Sequence, residues 1–324
     1  MPNGATWFPN HLLPAQNLNN PNVAHEQRPP YSHEMNRNGS QKPDLTNPAF
    51  SITACWILLL LVGLVVSTSL LAADRLVIAH RGGVVDRHRS ENSPSALEEA
   101  IRRGYTHVEV DARITADGHV VCFHNDSLWE ETGVEGRIST MTLEQIIKIK
   151  LIRSGETIPT FEQYVARCAG RIGVMVDLKG CTEKFIEPYA NEIIEALTKH
   201  KLLASALILI NKTPKNNQDK IIPHFLGKSR VSWRHSLAET QQIRNQVPNL
   251  GQNYYVFNHG ADFDRTEVTG FQALGLQVIV SINTQHYARE DALAEGLRHI
   301  EAMTSYGVDG LQIDSIYDSV VFQK

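Results

Sequence analysis

From residue 76 onward, short β-branched apolar runs alternate with longer stretches whose apolar positions recur at helical spacing. The short runs predict strands at Leu76–His80, His107–Asp111, Ile172–Asp177, Ala206–Ile210, Arg230–Arg234, Asn253–Phe257, Gln277–Asn283 and Gly310–Asp314. Between them, the spacing predicts helices over Ser93–Arg103, Phe185–His200, Leu237–Gln246, Thr266–Leu274 and Asp291–Tyr306, with Gly104, Gly275 and Gly307 as stops. Strands that alternate with helices form a parallel sheet, and eight such units predict a closed (β/α)8 TIM barrel of the α/β class. One segment breaks the alternation. Ala116-Asp117-Gly118 is a turn signal, and Val120–His124 then predicts a strand folding back on the second one, a small β-hairpin insertion.

The segments ahead of the barrel have a different character. Residues 1–51 are crowded with asparagine, and residues 1–50 hold eight of the fourteen prolines, too little apolar surface to offset ordering entropy, so a disordered tail is expected. No charge then occurs between Asp44 and Asp74, and residues 52–73 read ITACWILLLLVGLVVSTSLLAA. About 20 apolar residues cross a bilayer as a helix, so this segment is expected to be a transmembrane helix or a signal segment. Met35 offers an alternative start, leaving a weakly basic leader with Arg37 and Lys42. Ala72-Ala73 suit cleavage, whereas Leu70 and Leu71 do not. The leader-like arrangement implies membrane attachment or export, with an extracytoplasmic domain. Residues 74–324 match the roughly 250 residues of one barrel domain.

Composition narrows the choices little further. A net charge of −4 without a basic cluster argues against a nucleic-acid partner. Cys122, Cys168 and Cys181 have no metal-like spacing and permit at most one bridge among themselves.

Barrel enzymes assemble their sites at the C-terminal ends of the strands, which focuses attention on the polar residues there. Glu109 and Asp111, two apart on a strand, point to one face. Adjacent carboxylates repel unless a proton or cation neutralises them, and carboxylate oxygens suit a divalent metal, Mg²⁺ or Ca²⁺ alike. Asp177, ending another strand, is the expected third ligand. His80 and His124 are the expected acid and base, because imidazole can give or take a proton near neutral pH. Arg81 offers a planar fork for phosphate oxygens, and Lys179, on the face of Asp177, an ammonium for the same group. Asn92 or Ser93 suits the cap of the helix beginning near Pro94, which leaves Glu91 to bond substrate hydroxyls or the metal shell.

In order, His80-Arg81-Gly82, Glu91-Asn92-Ser93, Glu109-Val110-Asp111 and His124 resemble the glycerophosphodiester phosphodiesterase family, whose signature runs His-Arg-Gly, Glu-Asn-Thr, Glu-x-Asp and His-Asp. The resemblance covers Leu76 to about Lys179, including Thr115–Gly118 and Ile158–Glu162, and then thins. Asp177 stands where the family has Glu, and Asn211-Lys212-Thr213 replaces a Ser-Phe pair. Of the family's Trp-Thr-x-Asn only Asn283, a substrate-binding position by resemblance, remains; Trp233 is either a substitute aromatic surface or core. Gly307–Gly310 with Asp314 restores the match. The resemblance implies metal-dependent hydrolysis of glycerophosphodiesters to sn-glycerol 3-phosphate and an alcohol. Two alternatives stand beside it: a phospholipase D or phospholipase C-like enzyme acting on phospholipid, lysophospholipid or sphingolipid, and a non-catalytic binding barrel.

Overall fold

The computed structural model describes residues 75–322, so the expected tail 1–51 and apolar segment 52–73 lie outside the described residues. The described residues belong to one compact unit. Among the described residues, no helix is long and apolar enough to cross a membrane.

One sheet contains β1 (Leu76–Ala79), β2 (His107–Ile114), β3 (Val120–Cys122), β4 (Gly173–Lys179), β5 (Leu207–Leu209), β6 (Arg230–Trp233), β7 (Tyr254–His259), β8 (Gln277–Ile282) and β9 (Gly310–Ile313). All neighbours run parallel except β3, and β1 pairs with both β9 and β2, which closes the barrel. Each expected strand is present within a few residues. The expected hairpin is the β2–β3 pair, with Ala112 opposite Cys122.

Helices wrap the outside: α1 (Pro94–Arg103), α2 (Phe161–Cys168), α3 (Ile186–Lys199), α4 (Lys215–Phe225), α5 (Leu237–Ile243), α6 (Arg265–Ala273) and α7 (Ala292–Tyr306). Ser93 caps α1 by accepting from Ala96 N, and Gly104 ends it at φ 87°, a conformation open to glycine without strain. A large cluster fills the space between strands and helices, while Ile78, Met175, Leu207, Tyr255, Phe257 and Ile279 fill the barrel interior.

The period of two carries that inner column upward into chemistry. Ile78 is followed on its face by His80, Met175 by Asp177 and Lys179, and Ile279 by Ser281 and Asn283. Strand register places Glu109 opposite Met175 and Asp111 opposite Asp177.

The insertion is larger than a hairpin. After β3 the chain makes short helices at Trp129–Thr132 and Leu143–Ile146 over a separate apolar cluster of Val121, Phe123, Leu128, Ile138, Ile146 and Ile158 with their neighbours. Its apolar residues sit in turns without a regular period, so no periodicity announces it.

Candidate active site

The turn after β1 is shaped by the needs of close approach. Arg81 has φ 54° and Asn92 φ 56°, and Asn92 N donates to Arg81 O at 2.8 Å. A Cβ on Gly82 would lie 2.4 Å from Asn92 Cα, and one on Gly83 would lie 2.2 Å from Ala96 O, so only glycine fits at either position. Left-handed backbone at Arg81 and Asn92 costs of the order of 1–3 kcal/mol each, the strain expected where a site is held in place. The result is that Arg81 N donates to Glu109 Oε2 at 2.7 Å, joining β1 to the carboxylates of β2.

Asn92 braces the next carboxylate from both sides. Its Nδ2 donates to Asp111 Oδ2 at 2.8 Å and its Oδ1 accepts from Asp111 N at 3.0 Å. Of the two expected helix caps, Ser93 therefore takes the capping role and Asn92 serves the site. Glu91 accepts from Arg81 Nη1 at 2.7 Å, so its carboxylate holds the guanidinium, while Arg81 Nη2 donates to Gln285 Oε1 at 2.8 Å. Arg81 Nε is buried without a partner, a donor left over for an anion.

Glu109, Asp111 and Asp177 converge, each with a carboxylate oxygen within 4.8 Å of the others, and all three are buried. The shorter Asp177 reaches the group because it stands beside Asp111 in the parallel ladder. Lys179 Nζ lies 2.6 Å from Asp177 Oδ2 and 3.1 Å from Asp111 Oδ1, so the ammonium expected at a phosphate is held here against the carboxylates.

Three buried acids thus share one close ammonium. Burial and the charges of Asp111 and Asp177 push the Glu109 carboxyl well up. Burial raises Asp177 to about 6, with Lys179 opposing. For Asp111 burial is outweighed by Lys179, His124 and the Asn92 bond, and the carboxyl falls below the usual range. Asp177 Oδ1 is buried without any partner, and Asp111 Oδ1 has only the Lys179 ammonium at 3.1 Å. Three converging buried carboxylates, one oxygen of them left unpartnered, are the donor set of a hard divalent cation, so the residues present fit one.

Both histidines flank this group, near enough for either ring, when protonated, to favour the Asp111 carboxylate. His80 Nδ1 lies 2.6 Å from Asp314 Oδ1, and the other Asp314 oxygen accepts from Thr284 N and Oγ1, each at 2.7 Å. That carboxylate fixes the ring and leaves Nε2 facing the cleft, 3.4 Å from Asn283 Nδ2. His124 Nδ1 lies 3.1 Å from Asn125 Oδ1, and Arg113 Nη2 donates to His124 O at 2.5 Å. Burial pushes the His124 imidazole down to about 4, against the pull of Asp111, so it is neutral at pH 7. A cleft of about 340 Å³ opens over His80, Arg81, Glu91, Gln285 and Asp314.

All nine expected site residues are therefore at one end of the barrel. Asp314, Gln285 and Arg113 act there without having been expected to. Asp314 and Arg113 carried a signal, the one two residues beyond Gln312 at the mouth end of β9 and the other two residues beyond Asp111 on β2; Gln285 carried none. Trp233 is core, its Nε1 donating to buried Thr240 Oγ1 at 2.8 Å.

The family model described as the glycerophosphoryl diester phosphodiesterase family matches residues 80–317, most of the chain. The chain belongs to this family. Glycerophosphodiester phosphodiesterase 1 of Homo sapiens is 35% identical over 124 residues, 35% of this chain and 37% of that protein. This chain thus spans little more than a third of the human relative's length. A glycerophosphodiester phosphodiesterase of Caldanaerobacter subterraneus is 29% identical over 191 residues, covering 56% of this chain and 76% of that protein. Among solved structures, an Oleispira antarctica phosphodiesterase in complex with the product sn-glycerol-3-phosphate superposes with TM-score 0.56 at 21% identity, covering 76% and 96% of the two chains. A glycerophosphoryl diester phosphodiesterase from Parabacteroides distasonis gives TM-score 0.57 at 20% identity over 77% and 87%. These structural likenesses establish the shared barrel. In this member of the glycerophosphoryl diester phosphodiesterase family the third carboxylate is an Asp, Asp177.

Proposed function

We propose that the barrel hydrolyses glycerophosphodiesters to sn-glycerol 3-phosphate and an alcohol. The observation that carries this reading is the meeting of two imidazoles, a guanidinium and three buried carboxylates at one barrel mouth. Glu109, Asp111 and Asp177 would hold a divalent ion, Mg²⁺ or Ca²⁺, which when bound supplies Lewis-acid polarisation of a phosphoryl oxygen. Arg81, fixed by Glu91 and Gln285, turns its free Nε toward a phosphate oxygen. Asn283 Oδ1, buried without a partner, is the acceptor for a substrate hydroxyl. His124 is neutral and accepts the proton of the attacking oxygen, either water or the neighbouring glycerol hydroxyl, whose cyclic phosphate water then opens, as the P–O bond to the alcohol breaks. His80, oriented by Asp314, gives a proton to the leaving alcohol from Nε2, while the carboxylate stabilises the charged ring. Lys179 lowers the charge of the carboxylate group and keeps Asp111 ionised.

Residues 52–73 are long and apolar enough to anchor the chain to a membrane or to direct its export, and the leader-like arrangement around them, with Arg37 and Lys42 before and Ala72-Ala73 at the end, supports an extracytoplasmic catalytic domain. The test of the catalytic reading is to incubate purified residues 74–324 with glycerophosphocholine and either ion. Appearance of sn-glycerol 3-phosphate and choline, abolished by chelation, supports it. Release of phosphocholine, or turnover of lysophospholipid or sphingomyelin alone, replaces it with the lipid-directed alternatives.

A further inference from the structure

The barrel mouth is divided electrically. Its β1, β2 and β4 side carries the carboxylate group, whereas the segments leaving β5, β6, β7 and β8 present Lys212, Arg234, His259 and His286. The next acids along those segments are Asp219, Glu239, Asp262 and Glu290, each beyond its basic residue in sequence. Among the described residues, none of the four basic side chains makes an ion pair.

Their placement converges on the reaction centre. Arg234 continues the inward column of Arg230 and Ser232, and its Nη1 donates to Phe257 O at 3.4 Å. His259 continues the column of Tyr255 and Phe257 and meets His286 edge to face, ring centres 3.8 Å apart. Lys212 is exposed three residues beyond β5 at the same end of the barrel, close enough for its charge to be felt at both Asp177 and His286. Each imidazole is tied by one nitrogen only. His259 Nδ1 lies 3.2 Å from Ser281 Oγ, and His286 Nδ1 accepts from Asn283 N at 3.4 Å, so both Nε2 atoms lack a partner among the described residues. Asn283 also touches His80 Nε2, which makes it the bridge between this group and the proton donor.

We propose that Lys212, Arg234, His259 and His286 form a basic subsite that selects glycerophosphodiesters whose alcohol carries a negative charge. The proposal rests on the phosphodiesterase reading, which puts the leaving alcohol beside His80. From there the alcohol extends past Asn283 toward two unpaired cations and two free imidazole nitrogens, which suit a carboxylate or phosphate. Burial and the neighbouring His259 and His80 hold His286 down at about 4, so at neutral pH it acts as a neutral polar partner while Lys212 and Arg234 supply the charge.

Glycerophosphoserine and glycerophosphoethanolamine differ by a single carboxylate on the alcohol, so their ratio of kcat/KM reads this subsite directly. The expected ratio is about tenfold in favour of the serine compound, falling as salt is raised. In Lys212→Ala/Arg234→Ala the ratio should fall to about one. Both side chains are exposed, and Lys212→Gln alone should lower the ratio in the same sense. A wild-type ratio near one, or a preference that survives the double substitution, overturns the subsite. Calorimetry on chelator-treated protein separates this outcome from failure of the catalytic reading. Without any turnover, glycerophosphoserine should still bind about tenfold tighter than glycerophosphoethanolamine, and equal binding overturns the proposal.

Discussion

Replacing Asp314 by Asn removes one charge and leaves the shape. Asn Oδ1 can still accept from Thr284 N and Oγ1, where the carboxylate now has two bonds of 2.7 Å, so the loop after β8 should hold its position. What is lost is the acceptor 2.6 Å from His80 Nδ1. The amide presents a donor there, which favours the ring tautomer with its proton on Nε2 and leaves the charged ring without a counter-ion. A hydrogen bond to a charged group contributes roughly 1.5–3 kcal/mol, and about 1.4 kcal/mol is a factor of ten in rate. Asp314→Asn should therefore lower kcat on glycerophosphocholine by about 10- to 100-fold with little change in KM. Steady-state kinetics gives the split, and thermal unfolding checks that the fold is retained. A folded variant whose kcat stays within about threefold of the parent would refute the argument that Asp314 serves His80.

Metal affinity should rise with pH through about 6, because Glu109 holds a proton well above the usual carboxylate range and Asp177 titrates at about 6. Calorimetry in buffers of different ionisation enthalpy should detect proton release, and a pH-independent affinity would contradict it. Burial drives His107 down to about 4, below its unfolded value of about 6.5, so the unfolded chain takes up a proton first as pH falls. Stability present above pH 6.5 should then decline by roughly 1.4 kcal/mol per unit until about pH 4, and His107→Gln, compared by urea midpoints, should flatten that slope. An unchanged slope would remove His107 from the account. Removing residues 1–73 should leave a soluble active barrel while the full chain sediments with membranes or leaves the cytoplasm; a cytosolic full chain would refute the export reading.

The barrel was legible because its strands are short β-branched runs bounded by turn residues, and a period of two put Glu109 beside Asp111. Helix α4 was not legible. It carries Pro223 inside and polar residues around much of its length, so its apolar spacing is poor. The core of the insertion was hidden for a related reason: Leu128, Ile138 and Ile149 are brought together by turns, and no local pattern records that. At the site, residue types and strand positions pointed correctly to the carboxylates and both histidines. Partnerships were less visible. Asp314 lies 234 residues from His80, and nothing local to either names the other. Lys179 was readable as a cation on the right face, but its choice of Asp111 and Asp177 depends on the register between β2 and β4, which only the closed barrel fixes.

The assignment of His124 as base and His80 as acid is the centre of the account, and a change of leaving group tests it most directly. With glycerophosphocholine, His80→Ala and His124→Ala should each lose on the order of 10²-fold or more in kcat. A p-nitrophenyl phosphodiester of glycerol departs without needing a proton. On that substrate His80→Ala, with its acid gone, should recover most of the parent rate, whereas His124→Ala should remain impaired. Rescue of His124→Ala instead would reverse the two roles, and near-normal turnover of glycerophosphocholine by both variants would contradict the proposed chemistry altogether.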